Sequence, residues 1–158
     1  IVDVATRFFH LPTEDDRLHL HLGDGYEFLC NAPAGSYDLI LVDLHDADGM
    51  SPAVDADGFA HASRGALVAG GIAIYNLWFG VRPQQEARLS RRLTDVFDHL
   101  LQLPIAGKRN CVAFGLTDSI PEIELLKNRM RIHEGDLGLS LPTVLAELRR
   151  RHPQDFGD

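Results

Sequence analysis

Helical and strand patterns alternate along the whole chain, and this alternation constrains the fold more than any other feature of the sequence. The clearest strand is the apolar run at residues 39–42, which has turn-forming residues on both sides. This pattern is typical of a strand that is buried on both faces. The clearest helix begins at Pro83 and repeats Leu89 and Leu93 at helical spacing. Strands that alternate with helices in this way predict an α/β fold with a doubly wound, mostly parallel sheet.

The other elements follow from the same two patterns. Helices are predicted over residues 1–11, 25–30, 57–67, 83–100, 122–132 and 142–151. Strands are predicted over residues 18–22, 39–42, 71–78, 99–105 and 110–117. Asp24 is placed to cap the helix that follows it, and Gly70 and Gly71 are expected to end the third helix. No helix separates the last two strands, so we expect them to form an antiparallel hairpin at one edge of the sheet.

Composition and charge exclude several classes of protein. The chain has 158 residues, of which 45% are hydrophobic, so it has the size of one domain and enough apolar side chains for a core. Its net charge of -8 disfavours binding to nucleic acid and suits a cationic ligand. No apolar run approaches the roughly 18 residues of a membrane span, so we expect no contact with membranes. Cys30 and Cys111 match no metal or redox spacing, which indicates a reducing, cytoplasmic location.

The strongest candidate site is the sequence D-L-H-D at residues 43–46, directly after a predicted buried strand. Ligands of doubly wound sheets bind at the carboxyl ends of the strands. Two carboxylates three residues apart, Asp43 and Asp46, can converge on one cation or divide the work of handling an amine. One removes a proton from the amine, whose pKa of about 10 requires a base at neutral pH, while the other holds the charged end of the substrate. The alternative is that Asp46 and Asp48 only cap the next helix and solvate a loop.

A second candidate site is the sequence G-D-G at residues 23–25, at the end of the preceding predicted strand. Glycine allows a ligand to approach the backbone, and Asp24 is able to accept a hydrogen bond from an amino group. An ordinary turn in which Asp24 caps a helix is the alternative. No metal site is expected, because His19 and His21 lack a nearby third ligand. The chain also contains no P-loop, no G-x-S-x-G motif and no G-x-G-x-x-G motif.

The order of these motifs resembles that of the spermidine synthase family, which consists of aminopropyltransferases. A helix ending F-x-x-L-P leads into G-D-G and then F-L, and Y-D-L-I-L-V-D-x-x-D is followed by A-G-G and a long strand. The resemblance extends from about residue 1 to residue 117. It implies a class I S-adenosylmethionine methyltransferase-like, Rossmann-like fold over residues 1–118, with a helical extension packed on it over residues 119–158.

The resemblance also implies a reaction and roles for individual residues. In the family, a primary amine attacks the carbon beside the sulfonium of decarboxylated S-adenosylmethionine, and methylthioadenosine leaves. Asp43 matches the aspartate that deprotonates the amine, and Asp46 matches the one that anchors it. Asp24 matches the aspartate that contacts the adenine of decarboxylated S-adenosylmethionine or of methylthioadenosine, and Gly25 is assigned to binding the same co-substrate, decarboxylated S-adenosylmethionine or S-adenosylmethionine. The resemblance implies that the protein binds this co-substrate and a small-molecule amine, and that it holds no prosthetic group. It also implies that copies of the chain associate into a homo-oligomer.

This sequence departs from the family pattern at several positions. Leu44 and His45 replace two small hydroxyl residues, and residues 75–78 read Y-N-L-W where the family carries glutamine and glutamate. The family also carries a tyrosine that has no counterpart near residues 103–107. All these changes fall in the part of the site that binds the acceptor amine, so they disfavour putrescine as the acceptor. The family's glycine-rich turn and its acidic ribose-binding residue have no counterpart here, so we expect an N-terminally truncated, carboxyl-terminal fragment that is inactive alone. Two alternatives stay open: an S-adenosylmethionine-dependent methyltransferase on the same fold, and a non-catalytic domain for binding or oligomerisation.

Overall fold

The computed structural model describes residues 2–12, 16–78, 83–137 and 141–156. Within these ranges the helices are α1 (Val2–Phe9), α2 (Gly25–Asn31), α3 (Phe59–Ala66), α4 (Pro83–Val96), α5 (Ile123–Leu137), α6 (Leu141–Arg151) and α7 (Pro153–Phe156). The strands are β1 (Tyr37–Val42), β2 (Leu67–Trp78), β3 (His99–Pro104) and β4 (Asn110–Leu116). Every predicted helix is present, and α7 is an additional short one that the periodicity did not indicate.

In the described part of the chain, the strands form one mixed sheet in the order β1-β2-β4-β3. β1 and β2 are parallel and are connected through α3, whereas β4 is antiparallel to both β2 and β3. β1, β2 and β3 therefore run in the same direction, and β4 runs against them. The predicted α/β fold and its antiparallel hairpin are confirmed, with β3 at the edge of the sheet and β4 between β3 and β2.

One predicted strand is absent, because residues 18–22 have no regular secondary structure. Leucine alternates with histidine there, but Leu20 and Leu22 are 52% and 79% exposed, so the apolar side of the pattern meets no core. Alternation specifies a strand only where one face is buried and a neighbouring strand pairs with the backbone. Neither condition is met within the described residues, where β1 forms an edge of the sheet.

Gly70 and Gly71 do not end α3, contrary to the prediction, but lie inside β2. The strand begins at Leu67, directly after the helix, and the pairing register between β1 and β2 shifts in this region. Gly70 has a φ of +76°, and a Cβ at position 71 would lie only 2.9 Å from the Val68 carbonyl oxygen. The two glycines therefore allow an irregular, bulged start of β2 and are not a helix stop signal.

The core lies between one face of the sheet and helices α3 and α4. Its buried side chains include Val42, Phe59, Ala73, Tyr75, Leu77, Leu89, Leu93, Phe97 and Ala113. Phe97 packs edge-on against Tyr75 with 6.2 Å between the ring centroids, and Gly115 leaves room for the Phe97 ring. Because Tyr75 and Leu77 point into this core, the residue between them, Asn76, points to the opposite face of the sheet.

The opposite face of the sheet is covered at one end and open at the other. The strand registers align one row of side chains across it: Leu41, Ile74, Phe114 and Leu101. Leu41 on β1 is exposed and Leu101 on β3 is buried. α6 packs against β3, so the open part of this face lies along β1.

The carboxyl-terminal helices close the β3 edge of the sheet. His152 Nε2 accepts a hydrogen bond from the Gln102 backbone N–H at 2.9 Å, and the His99 ring contacts the Asp155 carboxylate at 3.0 Å. The first of these contacts occupies a backbone N–H group of the edge strand that another chain could otherwise pair with. The division of the chain into two units at residue 118 stays a prediction. None of the described helices combines the length and the hydropathy that crossing a membrane requires.

Candidate functional site

Asp43 is the first residue beyond β1, at the carboxyl end of the strand. Its side chain is 71% exposed. Two donors contact the same carboxylate oxygen, Oδ1: the Asn76 side-chain amide at 2.9 Å and His45 Nδ1 at 3.1 Å. An ionised carboxylate only accepts hydrogen bonds, so we assign the His45 tautomer with its proton on Nδ1. Oδ2 is then the oxygen of Asp43 that is left for a substrate.

The contact between Asn76 and Asp43 is part of a chain of polar side chains that crosses three strands. The parallel register of β1 and β2 places Asp43 next to Asn76. Asn110 pairs with Trp78 across β4 and β2, so it lies diagonally opposite Asn76 on the same face. The Asn110 amide donates to Asn76 Oδ1 at 3.3 Å. Asp43, Asn76 and Asn110 are called the polar row below.

The loop that follows Asp43 is held against the end of β2. The His45 ring packs edge-on against the Trp78 ring, with 6.0 Å between the centroids. Met50 is completely buried, forms an isolated bridge with His45 and accepts a hydrogen bond at its sulfur from the Trp78 backbone N–H. These contacts fix His45 beside Asp43. Its Nε2 is buried without a hydrogen-bond partner among the described residues.

Asp46 closes a turn within the same loop. Its Oδ1 accepts hydrogen bonds from the backbone N–H groups of Asp48 and Gly49, at 2.8 and 2.9 Å. The alternative that Asp46 and Asp48 cap the next helix is wrong, because the N-cap of α3 is Gly58. The role of Asp46 in anchoring an amine beside Asp43 stays a prediction.

Asp24 caps α2, as the sequence indicates. Its Oδ1 accepts hydrogen bonds from the backbone N–H groups of Tyr26 and Glu27, at 2.8 and 2.9 Å. A capping carboxylate of this kind satisfies donors that the first turn of a helix cannot pair internally. The cap also fixes the start of α2, and with it the position of Gly25.

Gly25 and Asp43 line the same cleft, which follows β1 and has a volume of about 410 Å³. The cleft is mostly apolar, and its other lining side chains include Phe28, Leu39, Leu41 and Leu44. Asp24 lines a neighbouring cavity of about 480 Å³. An apolar cleft with one carboxylate suits a flat ring and an adjacent cationic group. Among the described residues, no three side chains of the metal-binding types converge on one point.

Tyr75 is the titratable neighbour of Asn76, but it faces the core and not the cleft. Burial raises the pKa of Tyr75 to about 12, so its hydroxyl stays neutral at physiological pH and does not serve as a base. Tyr75 is therefore not a candidate base, whereas the exposed Asp43 carboxylate is one.

The amino-terminal half of the chain matches a known family. The spermine/spermidine synthase domain matches residues 1–77, which include Asp24, Gly25, Asp43 and Asp46. A polyamine aminopropyltransferase from Chromobacterium violaceum is 30% identical over 160 residues, which cover 99% of this chain and 60% of that protein. This chain is similar to the spermidine synthase family. It spans only about 60% of the length of this bacterial relative.

Solved structures share the fold of this chain. A spermidine synthase in complex with the transition-state analogue AdoDATO has a TM-score of 0.60 and 16% identity, over 74% of this chain and 43% of that chain. Human methyltransferase-like protein 13, in complex with SAH, has a TM-score of 0.65 and 26% identity, over 80% of this chain and 62% of that chain. The predicted methyltransferase-like, Rossmann-like fold is thereby confirmed.

Sequence reasoning missed one member of the polar row. Asp43 and the strand end at residues 75–78 stand out from the sequence, but Asn110 does not. Asn110 is 34 residues away from Asn76 along the chain and belongs to no local motif. The signal that could have found it is the antiparallel pairing of β4 with β2, which brings the start of one strand to the end of the other.

Proposed function

We propose that the full-length protein transfers an aminopropyl group from decarboxylated S-adenosylmethionine to a primary amine, with Asp43 as the base. The observation that carries this proposal is the Asp43 carboxylate. It is exposed at the carboxyl end of β1, lines the cleft and is held through one oxygen by Asn76 and His45. The similarity to the spermidine synthase family and the likeness to the spermidine synthase bound to AdoDATO support the same chemistry.

The reaction requires a base and a neutral amine nitrogen. The acceptor enters as an ammonium ion, and Asp43 Oδ2 takes one of its protons, which frees the lone pair of the nitrogen. The nitrogen then attacks the carbon beside the sulfonium of the co-substrate. The bond between that carbon and sulfur breaks, and its electron pair stays on the sulfur of methylthioadenosine. A net charge of -8 favours the approach of both cationic substrates.

The other site residues are assigned to the two substrates. The cleft takes the nucleoside of decarboxylated S-adenosylmethionine, because Gly25 has no side chain to obstruct it, and Asp24, which lines the neighbouring cavity, accepts a hydrogen bond from the nucleobase amino group. Asp46 attracts the charged end of the acceptor amine. Leu44 and His45 stand where the family carries small hydroxyl residues, and their bulk on the amine side disfavours putrescine.

The direct test is an assay of the full-length protein with decarboxylated S-adenosylmethionine and a panel of amines, with methylthioadenosine as the measured product. We expect release with at least one amine, and a kcat at least about 100-fold lower for Asp43→Asn, since asparagine keeps the shape but takes no proton. Asp38→Asn is the matched control, because it makes the same charge change on the same strand and we expect wild-type turnover. Wild-type turnover by Asp43→Asn, or no product with any amine, would overturn the proposal.

A methyltransferase is the second candidate function. It is favoured by the 26% identity and the TM-score of 0.65 to human methyltransferase-like protein 13, which was solved with SAH. The two activities leave different products: methylthioadenosine from aminopropyl transfer and S-adenosylhomocysteine from methyl transfer. An assay supplied with S-adenosylmethionine and with its decarboxylated form in parallel therefore discriminates between them.

A further inference from the structure

We propose that Asn76 and Asn110 are positioning residues that set the orientation of the Asp43 carboxylate, an inference that rests on the proposed role of Asp43 as the base. Asn76 contacts Asp43 directly, and Asn110 acts through Asn76. The three residues come from the ends of three adjacent strands, so the sheet itself determines their spacing.

The charge of Asp43 determines the direction of both amide contacts. An ionised carboxylate accepts hydrogen bonds only, so Asn76 presents its Nδ2 to Asp43, at 2.9 Å. The other amide atom, Asn76 Oδ1, then faces Asn110, which donates to it at 3.3 Å. Asn110 therefore supports the orientation of Asn76 that presents Nδ2 to Asp43.

The framework behind the two amides is rigid, whereas Asp43 is exposed. Asn76 lies in β2 between two completely buried residues, Tyr75 and Leu77, and β2 is paired on both sides. Asp43 follows the last paired residue of β1, so its side chain would sample several rotamers without a fixed donor. Asn76, together with His45 Nδ1 on the same oxygen, holds Oδ1 and so keeps Oδ2 in one place, where it can meet the proton of an incoming amine.

Asn110→Asp tests this arrangement with an almost isosteric change. Aspartate only accepts, so residue 110 no longer donates to Asn76 Oδ1 and instead competes with Asp43 for the Asn76 side-chain N–H. We expect kcat to fall about 10-fold or more, the effect of losing one hydrogen bond to a charged group. KM for decarboxylated S-adenosylmethionine should change by less than about 2-fold, because the nucleoside site is untouched. Asn110→Ala lets Asn76 keep its orientation, so we expect a smaller loss of about 3-fold.

A purely structural role of Asn110 predicts the opposite order, because alanine removes more contact than aspartate does. Asn128→Asp in α5 is the control for the change in net charge. The Asn128 side-chain oxygen accepts a hydrogen bond from Arg131, which aspartate retains, so we expect kcat to stay unchanged. An alanine variant at position 110 that is as slow as the aspartate variant, or slower, would overturn the positioning role.

A carbon-13 NMR titration of the Asp43 carboxyl group separates this inference from the proposed function. We expect the pKa of Asp43 to rise in Asn110→Asp, where residue 110 competes for its donor and adds a negative charge nearby, and to stay close to the wild-type value in Asn110→Ala. His45, the titratable side chain in contact with Asp43, is present in all three proteins and does not affect the comparison. Because the titration needs no turnover, a wild type that releases no methylthioadenosine refutes the proposed function alone. An unchanged pKa of Asp43 in Asn110→Asp refutes the positioning role.

Discussion

The packing of Gly115 against Phe97 leads to a quantitative prediction about the core behind the polar row. A Cβ at position 115 would lie 2.6 Å from two atoms of the Phe97 ring, well inside van der Waals contact. Phe97 is almost completely buried and packs against Tyr75, so the ring has little room to move away. Gly115→Ala therefore overpacks the core, which we expect to lower the free energy of unfolding by about 1–3 kcal/mol.

Gly65→Ala in α3 is the matched control for this substitution. No atom lies within 4 Å of the point where its Cβ would stand, so the change causes no clash. Alanine is favoured over glycine in a helix by about 0.5–1 kcal/mol, so this variant is expected to be more stable than the wild type. The same chemical change thus has opposite signs at the two positions.

Thermal unfolding followed by circular dichroism measures both effects. A change of 1 kcal/mol shifts Tm by about 2–4 °C in a domain of this size. We therefore expect Gly115→Ala to lower Tm by about 2–12 °C and Gly65→Ala to raise it by about 1–4 °C. A Gly115→Ala variant that melts at or above the wild-type Tm would refute this description of the core.

Two further predictions concern the carboxyl-terminal helices. Hydrogen bonds from Arg150 and its neighbour lower the pKa of Glu147 to about 2. Because this pKa is depressed in the folded state, the ionised Glu147 stabilises the fold fully above its ordinary pKa of about 4.3, and this stabilisation is lost as the pH falls towards 2. An NMR titration of Glu147 with a midpoint near 4 would contradict the prediction. His152→Ala removes the acceptor of the Gln102 backbone N–H, so we expect Tm to fall by about 2–4 °C, for a loss of about 1 kcal/mol. His61→Ala on the exposed side of α3 is its control, and equal Tm values for the two variants would show that the contact contributes nothing.

Much of the fold follows from patterns that act over a few residues. The apolar run at residues 39–42 predicts β1, and the leucine spacing after Pro83 predicts α4, and both elements are present. The cap at Asp24 is confirmed as well, because a capping side chain bonds to backbone groups only two and three residues away. The exposed Asp43 was also within reach of sequence reasoning, since a carboxylate at the end of a buried strand is a local signal.

The errors arise where the outcome depends on which segments become neighbours. Leu20 and Leu22 alternate with polar residues, yet no strand forms, because no partner strand and no core face them within the described residues. Glycine commonly ends a helix, but Gly70 lies in the bulged start of β2, which pairs with β1. Asn110 reaches Asn76 only through the pairing of β4 with β2, which no local pattern contains.

The release of methylthioadenosine from decarboxylated S-adenosylmethionine by the full-length protein tests the central claim most directly. We predict release by the wild type with at least one primary amine, and a rate at least about 100-fold lower for Asp43→Asn, because the site then lacks its base. Equal rates in the wild type and in Asp43→Asn, or no release by the wild type with any amine, would contradict the claim that Asp43 carries this reaction.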